Sequence, residues 1–406
     1  VSATLFAQEN TASPYSYYGL GDVKFKGTHD IKAMGGLGIV GDSIHLNLSN
    51  PASYSSLKLT TFSIGGTSTF TNFSTSSDSE KAQRTSLDYL AVGLPLGKFG
   101  VSFGLMPYSA VGYKVENVTT GTDNIERTKQ FTGDGNINKV FIGTGYSITP
   151  KLSIGIDVNY YFGDVNNKTI EFITDPVVLL GTRELNNSNF SGFSINTGLF
   201  YSTKITSKLE LFSSMTYSPE SELTSKNDRN IATVVYNVNG AEIVNDDIDI
   251  AVNDTKLKLP SKFSLGAGIG QTKKWLIGSE ITFQNTSKLG NRFDEITGAR
   301  FENSTKISIG GYYIPKYDSF SNYLERIVYR AGFKYENTGL VLNNESIKDY
   351  GMNFGLGIPL GFSKVDLGFE FGKRGTTTNN LIEENYFNIS IGLNLSAKWF
   401  ERRKID

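Results

Sequence analysis

The sequence predicts an all-β fold, a 14-stranded antiparallel transmembrane β-barrel whose lumen is plugged by an N-terminal hatch. Three observations carry that prediction. Between Tyr386 and Phe400, the residues Phe387, Ile389, Ile391, Leu393, Leu395, Ala397 and Trp399 share one parity, while Asn388, Ser390, Gly392, Asn394, Ser396 and Lys398 share the other. Successive side chains of a strand point to opposite faces, so this is a strand with one apolar and one polar face. It ends in an aromatic pair beside charge, as strands do where they leave a bilayer. The same alternation recurs along the whole chain. The connections between these segments, thirdly, are short and long by turns, a pattern of outer-membrane barrels that a soluble sandwich has no reason to adopt.

Composition agrees. The chain has 406 residues, 38% of them apolar, and a slightly negative mean hydropathy, as a barrel does when only alternate residues meet lipid. No run approaches the roughly 18 apolar residues of a transmembrane helix. Glycine is abundant at 43, proline scarce at 10, and 21 tyrosines with 27 phenylalanines favour strands. Without cysteine there is no disulfide, thiolate metal site or lipidated cysteine. A net charge of −1 carries no nucleic-acid footprint.

Taken in order, residues 1–7 read as the remnant of a secretory signal peptide cut after Ala7, with an ordinary N-terminal strand as the competing reading. Residues 8–56 are not barrel-like. They hold Tyr15-Ser16-Tyr17-Tyr18-Gly19, Met34-Gly35-Gly36-Leu37-Gly38 and a stretch from Asp42 to Ala52 that ends Asn50-Pro51-Ala52. Small residues allow close backbone packing, and Asn-Pro starts a turn or helix. About fourteen strands enclose a bore wider than their own side chains fill, since eight-stranded barrels sit at that limit. This segment is therefore assigned as an internal hatch.

The barrel, residues 57–400, divides into strands near 57–72, 83–96, 99–118, 125–149, 152–173, 185–205, 208–232, 246–270, 275–288, 302–314, 323–338, 347–360, 364–374 and 384–400. Tight connections at Gly97-Lys98, Pro150-Lys151, Ser207, 271–274 and 361–363 alternate with long polar ones at 73–82, 119–124, 174–184, 233–245, 289–301, 339–346 and 375–383; only 315–322 is long on the short side. Short turns are periplasmic, which also puts the tail 401–406 there. Parity assigns the faces. Leu152, Ile154, Ile156, Val158, Tyr160 and Phe162 face lipid, as do Val365, Leu367, Phe369 and Phe371, and Ile327, Tyr329, Ala331, Phe333 and Tyr335. The charges Asp157, Glu280, Arg330, Lys334, Asp366, Glu370 and Arg374 then line the lumen, because Lys or Arg on the lipid face near the midplane costs about 2–4 kcal/mol.

Asn50-Pro51-Ala52 ahead of the first strand, preceded by Met34-Gly35-Gly36 and Asp42-Ser43, resembles the hatch of FadL-type outer-membrane transporters. Leu259-Pro260-Ser261-Lys262-Phe263-Ser264-Leu265-Gly266 is similar to that family's Leu-Pro…Leu-Gly strand motif, and the ending Trp399-Phe400-Glu401-Arg402-Arg403-Lys404 resembles a branch common in Bacteroidetes-type bacteria. The resemblance spans the chain. It implies a fourteen-stranded barrel with an N-terminal plug in the bacterial outer membrane, whose relatives move hydrophobic molecules or serve as subunits of larger outer-membrane complexes.

Pro107 lies inside the third strand, followed by Tyr108. Proline cannot donate to the ladder and belongs at edges or bulges, so it predicts a local break in the wall. By resemblance it matches the inward kink of the third strand that makes a lateral opening in FadL-type barrels; a plain bulge at the rim is the other reading. The outer-loop run Val177-Val178-Leu179-Leu180 needs a partner, which could be ligand, other loops or another protein. Only two histidines occur, His29 and His45, both in the hatch, and no metal-ligand spacing or Gly-x-Ser-x-Gly elbow appears in a suitable context. The expectation is no enzyme, no cofactor and no metal. The function expected is passive uptake of hydrophobic, long-chain fatty-acid-like molecules, with outer-membrane lipid as surroundings. The alternative is an accessory subunit of an outer-membrane protein assembly or secretion complex, partnered by other outer-membrane proteins.

Overall fold

The structure, a computed structural model, describes residues 10–122, 124–173, 180–236, 242–290 and 298–398. Fourteen antiparallel strands close into a barrel. They are β1 (Thr60–Ser74), β2 (Ser79–Leu96), β3 (Phe99–Thr120), β4 (Glu126–Thr149), β5 (Leu152–Ile173), β6 (Leu180–Lys204) and β7 (Glu210–Ser218 with Ser221–Tyr236). The second half is β8 (Glu242–Ile250, Thr255–Leu259 and Lys262–Gln271), β9 (Trp275–Gln284), β10 (Ala299–Phe301 with Ser304–Tyr313), β11 (Val328–Leu342), β12 (Glu345–Leu360), β13 (Ser363–Gly375) and β14 (Glu383–Ala397). Closure runs from Glu383↔Ser74 to Ala397↔Thr60, which leaves β1 and β14 no edge for lipid, a solvent that pairs no backbone group.

Alternation predicts these strands because one face meets hydrocarbon. Ile154, Ile156, Val158, Tyr160 and Phe162 are exposed outside, and Ser153, Asp157 and Asn159 are buried inside. The seventh and eighth strands depart from the expected unbroken runs. β7 breaks at Pro219 and β8 at Pro260, where proline withholds a ladder donor, and β8 breaks once more at 251–254. β11 starts later than expected because Asn322 caps a 3-10 helix, Tyr323–Arg326, by accepting from the Leu324 N–H at 3.1 Å. Ile327, expected on the lipid face, is instead buried where that helix ends. Residues 1–7, Val177 to Leu179, Trp399, Phe400 and the tail 401–406 fall outside the described residues.

Residues 10–59 lie inside the barrel wall. They form a 3-10 helix (Pro14–Tyr17), a two-residue strand (Asp22–Val23), a single α-helical turn (His29–Lys32) and a second 3-10 helix (Pro51–Ser56). Leu20, Ile31, Leu37, Ile39, Leu46, Leu48 and Tyr54 are buried along this segment, each aliphatic one stabilising it by about 1.5–3 kcal/mol relative to exposure. Wall glycines let its backbone approach. Gly100, Gly145, Gly155 and Gly198, on four consecutive strands, receive Asn50 to Ser55; Gly310 and Gly332 receive Met34. A side chain at any of these sites would occupy space already held by the segment's own atoms.

Candidate functional site

β2 and β3 pair over only part of their length. Their pairing begins at Leu96↔Phe99 and ends at Leu90↔Leu105. Beyond that point Ser79 to Tyr89 pair with β1 alone, while β3 continues its ladder with β4. The β3–β4 register shifts between Pro107 and Ser109, with Tyr108 as the extra residue. Pro107 thus stands at a bulge two residues above the last β2–β3 pair, and Tyr108 packs edge-on against Tyr161 at 4.9 Å. The freed edge of β3 is covered from inside. Asp22 pairs with Ala110 and Val23 with Ser109, the Lys24 N–H donates to the Tyr108 carbonyl at 2.8 Å, and the Gly112 N–H donates to the Ser16 hydroxyl at 3.1 Å.

Asn50 pins the core segment to the opposite wall. Its side-chain oxygen accepts from the Ala52 N–H at 3.0 Å, capping the 3-10 helix that Pro51 starts. Its amide donates to the Leu199 carbonyl at 3.0 Å and to the Ser214 hydroxyl at 2.9 Å. Asn50→Ala loses all three bonds at a buried position. At about 1–3 kcal/mol for each buried group left unpaired, the segment should loosen by several kcal/mol. Amide hydrogen exchange around Ala52 should then quicken by orders of magnitude in an intact barrel; unchanged protection would contradict this anchoring.

The seven expected lumen charges all face inward, and the structure supplies partners that parity alone does not name. Arg330 and Lys364 hold Asp366 at 3.1 and 2.9 Å, and the Asn394 amide donates to it at 2.8 Å. Lys334 bridges Glu370 at 2.7 Å and Asp349 at 3.4 Å; Lys32 of the core segment reaches Glu370 at 3.7 Å. Arg374 binds Asp22 at 2.9 Å, tying β13 to the very strand that covers β3. Glu280 accepts from the Gly38 N–H at 3.2 Å, and Asp157 accepts from the Asn196 amide at 3.2 Å with Lys26 at 3.5 Å. Removing one member of such a buried pair costs about 3–5 kcal/mol by stranding the other, so these pairs hold the core segment in register. His29 lies in the same interior, 3.5 Å from Asp88. Burial lowers its pKa to about 4, outweighing the carboxylate, so the imidazole is neutral at physiological pH and adds no charge to the bore.

Sequence reasoning missed Asp22, Lys32, Lys139, Lys262 and Asp349. Lys139 and Asp349 were only half legible from parity: Val140 and Tyr350 flank them on the outward face, but Asn138 and Lys348 on the other side break the apolar pattern. A cavity of about 360 Å³ lies between core segment and wall and is lined in part by Pro107, Tyr108, Lys139 and Lys262; a second, of about 160 Å³, is lined in part by Arg84, Asp88 and Thr67 beside the β2 edge. Leu180, the described end of the outer apolar run, is half exposed at the start of β6.

A family model described as BamG matches residues 1–406. None of the curated proteins matches. Among solved structures, the toluene transporter TodX of Pseudomonas putida superposes with a TM-score of 0.60 at 16% identity, covering 92% of this chain and 98% of that one. The CymD monoaromatic hydrocarbon channel gives 0.58 at 14% identity, covering 93% and 99%. A FadL homologue of Pseudomonas aeruginosa gives 0.59 at 9%, covering 92% and 98%. These likenesses establish a barrel of the FadL type.

Proposed function

The chain belongs to the BamG family, and from its barrel geometry we propose that it is an outer-membrane barrel for passive uptake of hydrophobic small molecules, long-chain fatty-acid-like in character. The observation that carries the reading is the end of β2–β3 pairing at Leu90↔Leu105. An unpaired β2 edge is tolerable at membrane depth where it borders a water-lined opening. Greasy cargo leaving there enters hydrocarbon directly, with the hydrophobic effect favouring exit. The structural neighbours, a toluene transporter and a monoaromatic hydrocarbon channel, support a hydrophobic substrate class. In this reading residues 8–56 act as the hatch, Asn50-Pro51-Ala52 is its fixed end, and Asp22 to Lys24 are its movable end. Two residue pairs hold that movable end to β3, against the buried anchoring of Asn50. Leu180 and the apolar run before it would gather ligand.

A second reading, an accessory subunit of an outer-membrane assembly or secretion complex, is favoured by the short-turn end. Phe320 is fully exposed there, with Leu324 and Phe362 also exposed, and the Tyr323 hydroxyl donates to the Pro359 carbonyl at 2.7 Å, tying this 3-10 turn to the end of β12. Exposed aromatics beyond the wall suit a protein partner. Native mass spectrometry after mild extraction separates the readings. Uptake expects a lone barrel carrying a hydrophobic small molecule; a stoichiometric protein partner and an empty bore would overturn it.

A further inference from the structure

We propose that the larger cavity holds a phosphate group, seated on Lys139 and Lys262 just inside the wall opening. Eight basic and five acidic side chains line this cavity. Most of the basic ones are already matched: Lys24 and Arg374 to Asp22, Lys334 to Asp349 and Glu370, Lys32 to Glu370, and Lys26 to Asp157. Lys139 and Lys262 form no ion pair and no hydrogen bond among the described residues. Lys139 is 4% exposed. It lies across from Met106 on β3 and Tyr161 on β5, one position from the Pro107↔Asn138 pair. A buried ammonium with no carboxylate in direct contact is costly, and one kept facing a cavity is placed to receive an anion.

The lining narrows the anion. Hydroxyls and amides of Ser194, Asn196, Ser214 and Thr216 border the same space, a donor set that suits the several oxygens of a phosphate better than the two of a carboxylate. A phosphate dianion also meets two ammonium groups, which a carboxylate would leave half-neutralised. Glu280 and Glu336 share the cavity, but Glu280 already accepts from the core segment, and Glu336 lies across from Lys306 in the β10–β11 register. The phosphate could arrive free or as the head of a single-chain amphiphile whose tail lies in the opening beside Tyr108. This inference does not rest on the uptake reading, because the charge pattern would stand equally in a sealed barrel.

The test uses the intact, detergent-solubilised protein in isothermal titration with inorganic phosphate, oleoyl lysophosphatidate and oleate. Saturable lysophosphatidate binding that inorganic phosphate displaces supports a phosphate seat used by an amphiphile. Binding of inorganic phosphate alone supports the same seat for the free ion. Lys139→Met should weaken either by tenfold or more, with heat-modifiable gel migration unchanged, and Lys262→Gln should do the same if Lys139→Met fails to fold. Oleate binding as tightly as lysophosphatidate, absence of binding by both phosphate probes, or unaltered affinity in a folded variant would each overturn the assignment.

Discussion

Pro107→Val is expected to reduce uptake of a hydrophobic probe by about tenfold or more, equivalent to about 1.4 kcal/mol or more in barrier, while the protein still inserts. Valine restores the backbone N–H that proline withholds and favours extended backbone. The β3 register shift at Pro107 would lose its cause, and the strand could continue along β2 beyond Leu105, where the ladder now stops. The Asp22–Val23 strand would then lose its place on the β3 edge. Initial rates of uptake of a labelled fatty acid into cells carrying either form read the effect. Heat-modifiable migration confirms insertion. Wild-type rates from an inserted variant would remove the side exit and leave the subunit reading in its place.

Gly100→Ala is expected to dislodge the core segment. A methyl there overlaps the Tyr54 carbonyl, a backbone atom within the 3-10 helix that Asn50 caps, so no flexible side chain can yield. Overpacking of this kind costs about 1–3 kcal/mol, and the cost should fall on the core segment, because the wall strand is held by ladders on both sides. If the core segment blocks the bore, single-barrel ion conductance in planar bilayers should rise as it leaves its seat, and protease should cut within residues 40–56. Gly290→Ala, where no atom lies within 4 Å, serves as the control and should leave conductance at its basal level. Equal conductance in the two variants would mean that the glycine contact does not seat a bore-blocking segment.

Strand number, facing and the alternation of turn lengths were legible because each is a local consequence of the bilayer. A residue beside hydrocarbon must be apolar, and its neighbour need not be. Inward parity therefore found Asp157, Glu280, Arg330, Lys334, Asp366, Glu370 and Arg374 without any knowledge of the fold's closure. Pro107 and Asn50-Pro51 were legible for a related reason, since proline's missing donor and fixed φ act within a few residues. Their partners were not. Asp22 meets Arg374 across a sequence separation of 352, and Asn50 meets Ser214 across 164.

A period of two states which face a side chain takes but never which strand stands opposite or at what height. Those depend on register, summed around fourteen strands, and on where the glycines let a second chain segment approach. The sequence by itself determined a membrane barrel with a polar, charge-bearing interior. Only the tertiary structure decided that the β2–β3 ladder stops at Leu90, that Asp22 to Lys24 cover the freed edge, and that Lys139 faces a cavity with no ion pair or hydrogen bond among the described residues. Each is a relation between residues far apart in the chain, and closure of the sheet is the physical event that brings them together.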